Sequence, residues 1–237
     1  AFSRALPSEP SSLTISRTAT GKYYVSFICE YSPIRTTGQG KVGIDLGIKD
    51  FATLSTGEKI ANPKPFLKAQ KRLKRAQQTL SRRTKGSVNR NKARQCVAQL
   101  HERVSNTRMD FQHKLSRQLV NDNQVIAVEK LMVANMVKNR KLAKHISDAA
   151  WSSFANTLSY KAIESQHATL VYVSTWFPSS HLCSVTHERL NRKLSLSERV
   201  WDCPYCGQKH DRDVNAAINI FQEAELNLAL NFKHPSE

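Results

Sequence analysis

The segment CPYCGQKHDRDVNAAINI, residues 203–220, places two kinds of potential metal ligand close together in the chain. Cys203 and Cys206 have the spacing of soft ligands for a metal such as zinc, whereas Asp211 and Asp213 offer the carboxylate oxygens that magnesium prefers. One aspartate is expected to cap the helix that follows, because a carboxylate accepts hydrogen bonds from the free N–H groups at a helix start. Two aspartates exceed what one cap requires, so one of them is available for other chemistry.

Two more acids lie in or at the end of apolar runs elsewhere in the sequence. Asp45 is in VGIDLG, and Glu129 ends the run QVIAVE. A carboxylate in such a position loses its hydration unless a cation or hydrogen-bond donors face it. Taken separately, either acid also fits a simpler interpretation, as an exposed residue at a strand edge or as the first polar residue after a core strand. Together with an aspartate of the last helix they offer three carboxylates, about the number that two divalent ions need for phosphodiester cleavage.

These acids depend on a predicted sheet for their placement. The segments SSLTISR and YYVSFIC predict two strands joined by a turn, and KVGIDLG begins a strand–turn–strand unit. Later in the chain, QVIAVEK and ATLVYVST predict two further strands, with helical patterns between and after them. The order strand, strand, helical insert, strand, helix, strand, helix predicts an α/β fold with an RNase H-like mixed sheet. A charged residue that ends a buried strand of such a sheet is expected to face a cleft at the sheet's edge.

The helical insert, residues 66–120, is rich in lysine and arginine. Its apolar residues recur at helical spacing on both sides of RRTKGSVNR, which predicts a helical hairpin that bends near Gly86. The basic residues have a bland interpretation as the solvated face of an exposed helix pair. The density of unmatched positive charge favours contact with nucleic-acid phosphates instead. The residues proposed for that contact are Lys71, Arg72, Lys74, Arg75, Arg82 and Arg83.

The composition supports a nucleic-acid partner and argues against several other classes. The chain has 237 residues, with 36 Lys and Arg against 19 Asp and Glu, for a net charge of +17, which is typical of a protein that binds a polyanion. No apolar run approaches the roughly 18 residues of a membrane span, and the polar first residues do not resemble a signal peptide. Five cysteines, three of them near the C-terminus, indicate metal binding in a reducing compartment rather than a disulfide framework.

Five stretches together resemble the TnpB/OrfB family of transposon-encoded proteins, which is similar to the type V CRISPR effectors. They are VGIDLGIKD, VEKLMVANMVKNRKLAKHISDAAW, YKAIE, WFPSS and CPYCGQKHDRDVNAAINI. The resemblance implies a RuvC-like nuclease domain with a small zinc ribbon, which cleaves DNA with Mg²⁺ under the direction of a guide RNA. It also implies that Asp45, Glu129 and Asp213 are the catalytic acids that hold a pair of Mg²⁺ ions, with Asp211 as the second choice for the third acid.

The sequence departs from the family pattern in its zinc ribbon. Members carry two C-x-x-C pairs, but here the first pair reads CSVT, with Thr186 in place of the second cysteine. Cys183, Cys203 and Cys206 remain, and zinc prefers four ligands. We expect His187 to supply the fourth ligand, with His181 and His210 as poorer choices. The alternative is an eroded ribbon that holds zinc weakly or not at all.

The second departure concerns the start of the chain. Residues 1–39 resemble only the end of the wedge-like barrel of the family, so we expect an N-terminally truncated member whose targeting, and with it its activity, is impaired. Residues 40–180 and 208–230 form the predicted nuclease domain, with residues 66–120 as its insertion. Residues 181–207 form the predicted zinc ribbon.

Three functions follow from this sequence. The first is a TnpB-like, Mg²⁺-dependent DNA endonuclease with DNA and guide RNA as partners, in the bacterial cytoplasm at the nucleoid. The second is a non-catalytic relic that binds nucleic acid and regulates or accompanies its transposon. The third, a zinc-ribbon transcription regulator, leaves Asp45 and Glu129 unexplained. Although the family is often described as transposases, no nucleophilic tyrosine or serine motif for strand transfer stands out in these residues.

Overall fold

The computed structural model describes residues 5–32, 36–192, 194–195 and 197–233, with side chains to residue 230. The strands are β1 (Ser12–Arg17), β2 (Tyr23–Ile28), β3 (Gly40–Leu46), β4 (Asp50–Leu54), β5 (Lys59–Ala61), β6 (Asn123–Glu129), β7 (Thr169–Val173), β8 (Val200–Asp202) and β9 (Lys209–Asp211). The helices are α1 (Pro65–Ser81), α2 (Val88–Asp122), α3 (Val133–Met136), α4 (Ala143–Ala149), α5 (Trp151–Ser165) and α6 (Arg212–Lys233), with a 3-10 turn at Ser179–His181. None of the helices in the described ranges is long and apolar enough to cross a membrane.

The chain divides into two compact units. The first consists of Pro65–Asp110 and the described part of Ala1–Ile34, and the second of the described parts of Arg35–Lys64 and Phe111–Glu237. The first unit therefore ends at Asp110, inside α2, whereas the predicted insertion extends to residue 120. From Phe111 onward, α2 belongs with the sheet because its apolar residues there pack into the sheet's core.

The first unit contains the predicted hairpin and helix pair. Strands β1 and β2 pair antiparallel, and α1 and α2 are joined by a turn in which Gly86 has a left-handed backbone, with φ of +84°. The Arg90 guanidinium donates hydrogen bonds to the carbonyl oxygens of Leu80 and Arg83, at 3.0 and 2.9 Å, and so satisfies free carbonyls where α1 ends. Both the hairpin and the bend near Gly86 are confirmed.

The second unit is built on a five-stranded mixed sheet. The strand order is β5-β4-β3-β6-β7, in which β3, β6 and β7 run parallel to one another and β4 is antiparallel to both of its neighbours. The predicted α/β architecture with a mixed sheet is confirmed. A separate two-stranded sheet, β8-β9, precedes α6.

Helices cover the two faces of the sheet in different ways. On one face, Ile44, Ile126 and Val128 pack with buried residues of α2, α4 and α5 in the main core. On the other face, Ala127 and Val173 pack against Ile220 and Ala224 of α6 in a smaller core. This second face is the one that matters for the acids, because α6 carries Asp213.

Helix α6 lies in direct contact with the backbone of β3 at Gly43. A Cβ atom built on Gly43 would lie 2.1 Å from the carbonyl oxygen of Ala217 and 2.7 Å from Cβ of Phe221. No side chain fits in this space, so glycine at this position allows the helix to approach the strand. The closeness of the contact determines where the first turn of α6 lies relative to the end of β3.

We therefore expect Gly43→Ala to lower the free energy of unfolding by about 3 kcal/mol, because the added methyl group must push backbone atoms of α6 away from the sheet. Urea unfolding of the two proteins measures the difference. Gly57→Asn is the control: Gly57 has a positive φ, which asparagine tolerates, and nothing lies within 4 Å of its Cβ position. Its cost should be roughly 1 kcal/mol or less. Equal losses in the two variants would contradict the importance of the contact.

Candidate functional site

Three of the predicted acids line one cleft of about 570 Å³ in the second unit. Asp45 lies near the end of β3, Glu129 is the last residue of β6, and Asp213 lies in the first turn of α6. Thr53 of β4 and Ser179 complete part of the wall. The structure thus brings together the three acids that the sequence places on three separate elements.

The register of the sheet explains how the two strand acids meet. The parallel pairing of β3 with β6 matches Gly43 with Ala127 and Ile44 with Val128, so Asp45 and Glu129 each follow one residue after a matched pair. Side chains alternate along a strand, and therefore Asp45 points to the same face as Gly43, which is the face covered by α6. The first turn of α6 brings Asp213 to this end of the sheet.

Burial and mutual repulsion make the charges of these acids costly. Burial raises the pKa of Asp45 to about 7, and the negative charges of Asp213 and Glu129 act in the same direction, whereas Arg212 and Arg199 act to lower it. Burial alone raises the pKa of Glu129 to about 7. Carboxylates with such pKa values are stabilised in the charged form by a nearby cation.

Asp213 already contacts a cation within the chain. Both of its carboxylate oxygens accept hydrogen bonds from the same guanidinium nitrogen of Arg199, at 3.1 and 3.0 Å. Arg199 itself lines the cleft. In this structure the guanidinium therefore balances part of the negative charge of the three acids.

Asp211, the second choice for the third acid, has a different environment. Its Oδ1 atom accepts hydrogen bonds from the backbone N–H groups of Asp213 and Val214, both at 3.1 Å, and its Oδ2 atom lies 2.6 Å from Nζ of Lys59. Burial acts to raise the pKa of Asp211, but the hydrogen bond from Lys59 and the two N–H groups outweigh it and lower the pKa. Asp211 is the cap of α6 and is not among the described residues that line the cleft.

Several basic residues of the cleft were not predicted from the sequence. Only Arg212, between the two aspartates, had an evident signal in its position. The others come from loops and a short helix whose approach to the acids depends on the tertiary fold. The basic residues that line the cleft are Lys49, Lys64, His145, Arg199 and Arg212.

A second group of potential metal ligands lies between the sheet and α6 in the sequence. It consists of Cys183, Cys203, Cys206 and His210, whose ligand atoms all lie within 4.8 Å of one another. Sγ of Cys183 is 3.6 Å from Sγ of Cys206, and Nε2 of His210 is 3.2 Å from Sγ of Cys206. Ligands in a tetrahedron around zinc, with Zn–S distances of about 2.3 Å, are separated by roughly 3.7 Å. The donor set and its spacing fit one zinc ion.

The structure does not bring His187, the predicted fourth ligand, to the three cysteines. The turn after Cys183 has the same hydrogen bonds as the turn after Cys203: the N–H of His187 donates to the carbonyl of Cys183, as that of Gly207 does to Cys203, at 2.8 and 2.9 Å. His187 and Gly207 both have left-handed backbones, with φ of +59° and +70°. His187 thus occupies the residue after the turn, not a ligand position, and its side chain is exposed.

His210 brings its ring nitrogen to the cysteines from a strand. It lies on β9 opposite Trp201 of β8, and the two rings stack with their centroids 4.8 Å apart. At the first turn, Thr186 occupies the place of a cysteine. Burial acts to raise the pKa of Cys183, but hydrogen bonds from Thr186 and from the N–H of Val185 outweigh it and lower the pKa below its usual value. A lowered pKa favours the thiolate, which is the form that binds metal.

The two groups of potential ligands are connected by three consecutive features of the chain. His210 belongs to the cysteine cluster, Asp211 caps α6, and Asp213 enters the acid cleft. Fixing the position of His210 therefore fixes the start of α6. This proximity explains why soft and hard metal ligands occur in one short segment.

These features define an α/β protein with an acid cleft beside its mixed sheet and a Cys₃His cluster before its last helix. Residues 26–140 match the family model OrfB_IS605, described as "Probable transposase", and residues 151–220 match the model described as "Cas12f1-like, TNB domain". Over these two ranges the chain is similar to the TnpB/OrfB family of transposon-encoded proteins and to the Cas12f1-like proteins.

Two curated relatives are similar to this chain over most of its length. A "Putative RNA-guided DNA endonuclease" of Streptomyces pristinaespiralis is 48% identical over 223 residues, which are 92% of this chain and 54% of the relative. The "Putative RNA-guided DNA endonuclease InsQ" of Escherichia coli K12 is 29% identical, over 96% of this chain and 60% of the relative. The chain thus spans about half the length of the curated relatives it matches.

Two solved structures share the fold. The "Cryo-EM structure of the Cas12f1-sgRNA-target DNA complex" matches with a TM-score of 0.55 and 16% identity, over 88% of this chain and 55% of that one. The "Cryo-EM structure of CRISPR-Cas12f Ternary Complex" matches with a TM-score of 0.55 and 19% identity, over 84% of this chain and 41% of that one.

The corrected ligand set gives a direct test. His210→Ala and Cys203→Ala should each weaken zinc binding at least about a hundredfold, because each removes one of four donors from the site. His187→Ala should retain one zinc ion per chain, since the side chain lies outside the cluster. Elemental analysis and competition with a chelator measure both quantities. Zinc loss in His187→Ala, or less than about half an ion in the unmodified protein, would contradict the assignment.

The raised pKa of Asp45 predicts a pH dependence of stability without added Mg²⁺. The folded carboxyl, with a pKa of about 7, binds a proton more tightly than the unfolded one, with a pKa near 3.9, so stability falls as the pH rises from about 4 to about 7. Asp45→Asn should remove the part of this fall that Asp45 causes, leaving the part caused by Glu129, and raise the free energy of unfolding at neutral pH by up to about 4 kcal/mol. Urea unfolding at a series of pH values measures it.

Asp211→Asn is the control with the opposite sign. The folded pKa of Asp211 is lowered, so its carboxylate adds stability above the unfolded pKa, and that contribution is lost as the pH falls through the folded pKa. This variant should therefore lose stability at neutral pH. An Asp45→Asn protein with the same pH dependence as the unmodified protein would contradict the prediction.

Proposed function

We propose that this chain contains the nuclease domain of an RNA-guided DNA endonuclease, in which Asp45, Glu129 and Asp213 bind Mg²⁺ and direct the cleavage of a phosphodiester bond. The observation that carries this proposal is the meeting of the three acids in one cleft, where two of them have a pKa of about 7. Perturbed pKa values grouped in a cleft are typical of functional sites.

The fold is proposed to be RNase H-like, as in RuvC nucleases. Support comes from the strand order β5-β4-β3-β6-β7, with its antiparallel strands on one side and its parallel strands on the other. It also comes from the position of the acids, at the ends of two parallel neighbours and at the start of the helix that covers them. Such a site takes its ligands from elements that are far apart in sequence, as a pair of ions requires.

The cleft suits a hard divalent cation. Three carboxylates supply the oxygen ligands that Mg²⁺ prefers, and the repulsion between them is relieved by positive charge. When bound, a pair of Mg²⁺ ions activates water and stabilises the leaving oxygen. Lys49, Arg199 and Arg212 line the same cleft and are placed to neutralise the phosphate group of the substrate.

The cysteine cluster is proposed to hold a structural zinc ion through Cys183, Cys203, Cys206 and His210. Three of these residues are buried, and a closed set of four protein ligands is typical of structural sites. The role of this site in the chain is to hold β9 in place. Because β9 leads directly into α6, the cluster orients Asp213 toward the other two acids.

The partners proposed are DNA and a guide RNA. The matched relatives are named as RNA-guided DNA endonucleases, and one matched structure contains sgRNA and target DNA. The side chains predicted to contact phosphates are all exposed in the first unit, as phosphate contact requires. They are Lys71, Arg72, Lys74, Arg75, Arg82 and Arg83. The proposed location, in the bacterial cytoplasm at the nucleoid, agrees with these partners.

A non-catalytic relic is the less favoured alternative. A chain that had lost catalysis would have no constraint to keep three half-buried acids in one cleft, where their repulsion is destabilising. The retention of Asp45 at a site where burial raises its pKa to about 7 therefore favours an active nuclease.

Cleavage of single-stranded DNA in Mg²⁺ tests the proposal. Asp45→Ala, Glu129→Gln and Asp213→Asn should each lower the cleavage rate about a hundredfold or more, because each removes an oxygen ligand of the ions. Asp211→Asn should retain most of the activity at a temperature where it stays folded, since Asp211 caps the helix outside the cleft. Cleavage that is equal in Asp45→Ala and the unmodified protein would refute the proposal, and loss only in Asp211→Asn would reassign the third acid.

A further inference from the structure

Trp176 is an exposed aromatic residue in the turn between β7 and Ser179, a residue that lines the acid cleft. Its exposed fraction is 91%, whereas each of the other two tryptophans, Trp151 and Trp201, is 3% exposed. An indole ring in water leaves a large apolar surface uncovered. A single exposed apolar residue is common on protein surfaces, so the case for a binding role depends on its position and on the rigidity of its backbone.

Trp176 lies in sequence between a strand residue next to Glu129 and a residue of the cleft wall. Val173, three residues earlier, ends β7 and is matched in the sheet with Glu129. Ser179, three residues later, lines the cleft, as does Ser180. The turn that carries Trp176 therefore runs from the strand residue paired with Glu129 to the wall of the acid cleft.

The backbone of this turn is held in place by hydrogen bonds. The N–H groups of Trp176 and Phe177 donate to the hydroxyl and the carbonyl of Ser174, at 3.2 and 3.0 Å. The Thr175 hydroxyl donates to the carbonyl of Lys130, the residue that follows Glu129.

The next side chain along the turn is anchored as well. Phe177 packs against the core beneath α6, on the face of the sheet that carries the acids. The chain thus buries one aromatic ring of a Trp-Phe pair and leaves the other in solvent. Because the turn is fixed, Trp176 presents its ring without the cost of ordering a loop on binding.

We propose that Trp176 is a nucleobase-binding residue, on which an unpaired base of the substrate strand stacks while a phosphate of that strand enters the acid cleft. Indole rings stack on any base, and the contact contributes to affinity without reading sequence. The basic residues of the cleft attract the backbone of the same strand. This site rests on the proposed nucleic-acid substrate and identifies the form that the substrate takes, a single strand with exposed bases.

The chain allows a direct spectroscopic test, since Trp176 is the exposed one of its three tryptophans. Without added Mg²⁺, titration of the 237-residue protein with a short single-stranded thymidine oligonucleotide should quench the tryptophan fluorescence and protect it from acrylamide. In Trp176→Phe the quenching should disappear while most of the affinity remains, because phenylalanine retains a ring that can stack. In Trp176→Ala the affinity for the single strand should fall roughly 5- to 100-fold, the loss of one stacked base.

A duplex of the same length serves as the matched ligand. Its bases are already stacked, so Trp176→Ala should change its affinity much less than that of the single strand. Equal binding of the single strand by Trp176→Ala and the unmodified protein would overturn the proposal. So would equal loss for single strand and duplex, or fluorescence that stays fully open to acrylamide in the complex, as expected if a protein partner covers this residue instead.

Cleavage assays separate this site from the proposed nuclease. If the oligonucleotide stacks on Trp176 but no Mg²⁺-dependent cleavage occurs, the base-binding site stands and the nuclease proposal fails. If cleavage depends on Asp45 but Trp176→Ala neither weakens binding nor lowers the cleavage rate at low substrate concentration, the nuclease proposal stands and the base-binding site fails. Because the side chain of Trp176 is exposed, its removal is not expected to affect folding.

Discussion

The close contact between α6 and β3 is the constraint on which the acid cleft depends. At Gly43 the backbone of the helix touches the backbone of the strand so closely that a single methyl group would overlap the carbonyl of Ala217. Two residues further along β3, on the same face, Asp45 lies at the end of the sheet toward which α6 begins. Asp213, in the first turn of α6, reaches Asp45 because the helix cannot lie farther from the strand without opening a gap in the core around Ile220.

The acid cleft lowers the stability of the fold at neutral pH. Burial and repulsion raise the pKa of Asp45, burial raises that of Glu129, and the guanidinium of Arg199 contacts Asp213. The carboxylate that only stabilises the fold has the opposite environment: Asp211 faces Lys59 and the N–H groups of a helix start. Two aspartates separated by one residue thus have different partners, and Asp211 caps the helix that carries Asp213 into the cleft.

The cysteine cluster also constrains the start of α6, because its member His210 lies on β9, which leads directly into that helix. Its two turns have the same backbone hydrogen bonds although the first has Thr186 where the second has Cys206. His210 joins the three cysteines from β9 and is followed at once by the cap of α6. A zinc ion at this place and magnesium at the acids would therefore be linked through the four residues from His210 to Asp213.

Local patterns in the sequence were sufficient to predict the hairpin, the basic helix pair, the mixed sheet and the two strand acids. Those features depend on periodicity, turn residues and the cost of burying a charge, all of which are read from neighbouring residues. The sequence also singled out the three cysteines that the structure brings together, and it left the choice between Asp211 and Asp213 to the family resemblance. It did not predict that His210 joins them, because a histidine four residues from Cys183 is closer in sequence than one on a later strand.

Only the tertiary structure decided which atoms meet. His210 rather than His187 joins the cysteines because the pairing of β8 with β9 turns it toward them, whereas the left-handed residue after a turn lies outside the cluster. Arg199 contacts Asp213, which is 14 residues away in sequence, and Lys59 contacts Asp211, which is 152 residues away. The exposure of Trp176 beside buried Phe177 likewise follows from how one turn is anchored. Local sequence determines which elements form, but distances between side chains on different elements depend on how those elements pack.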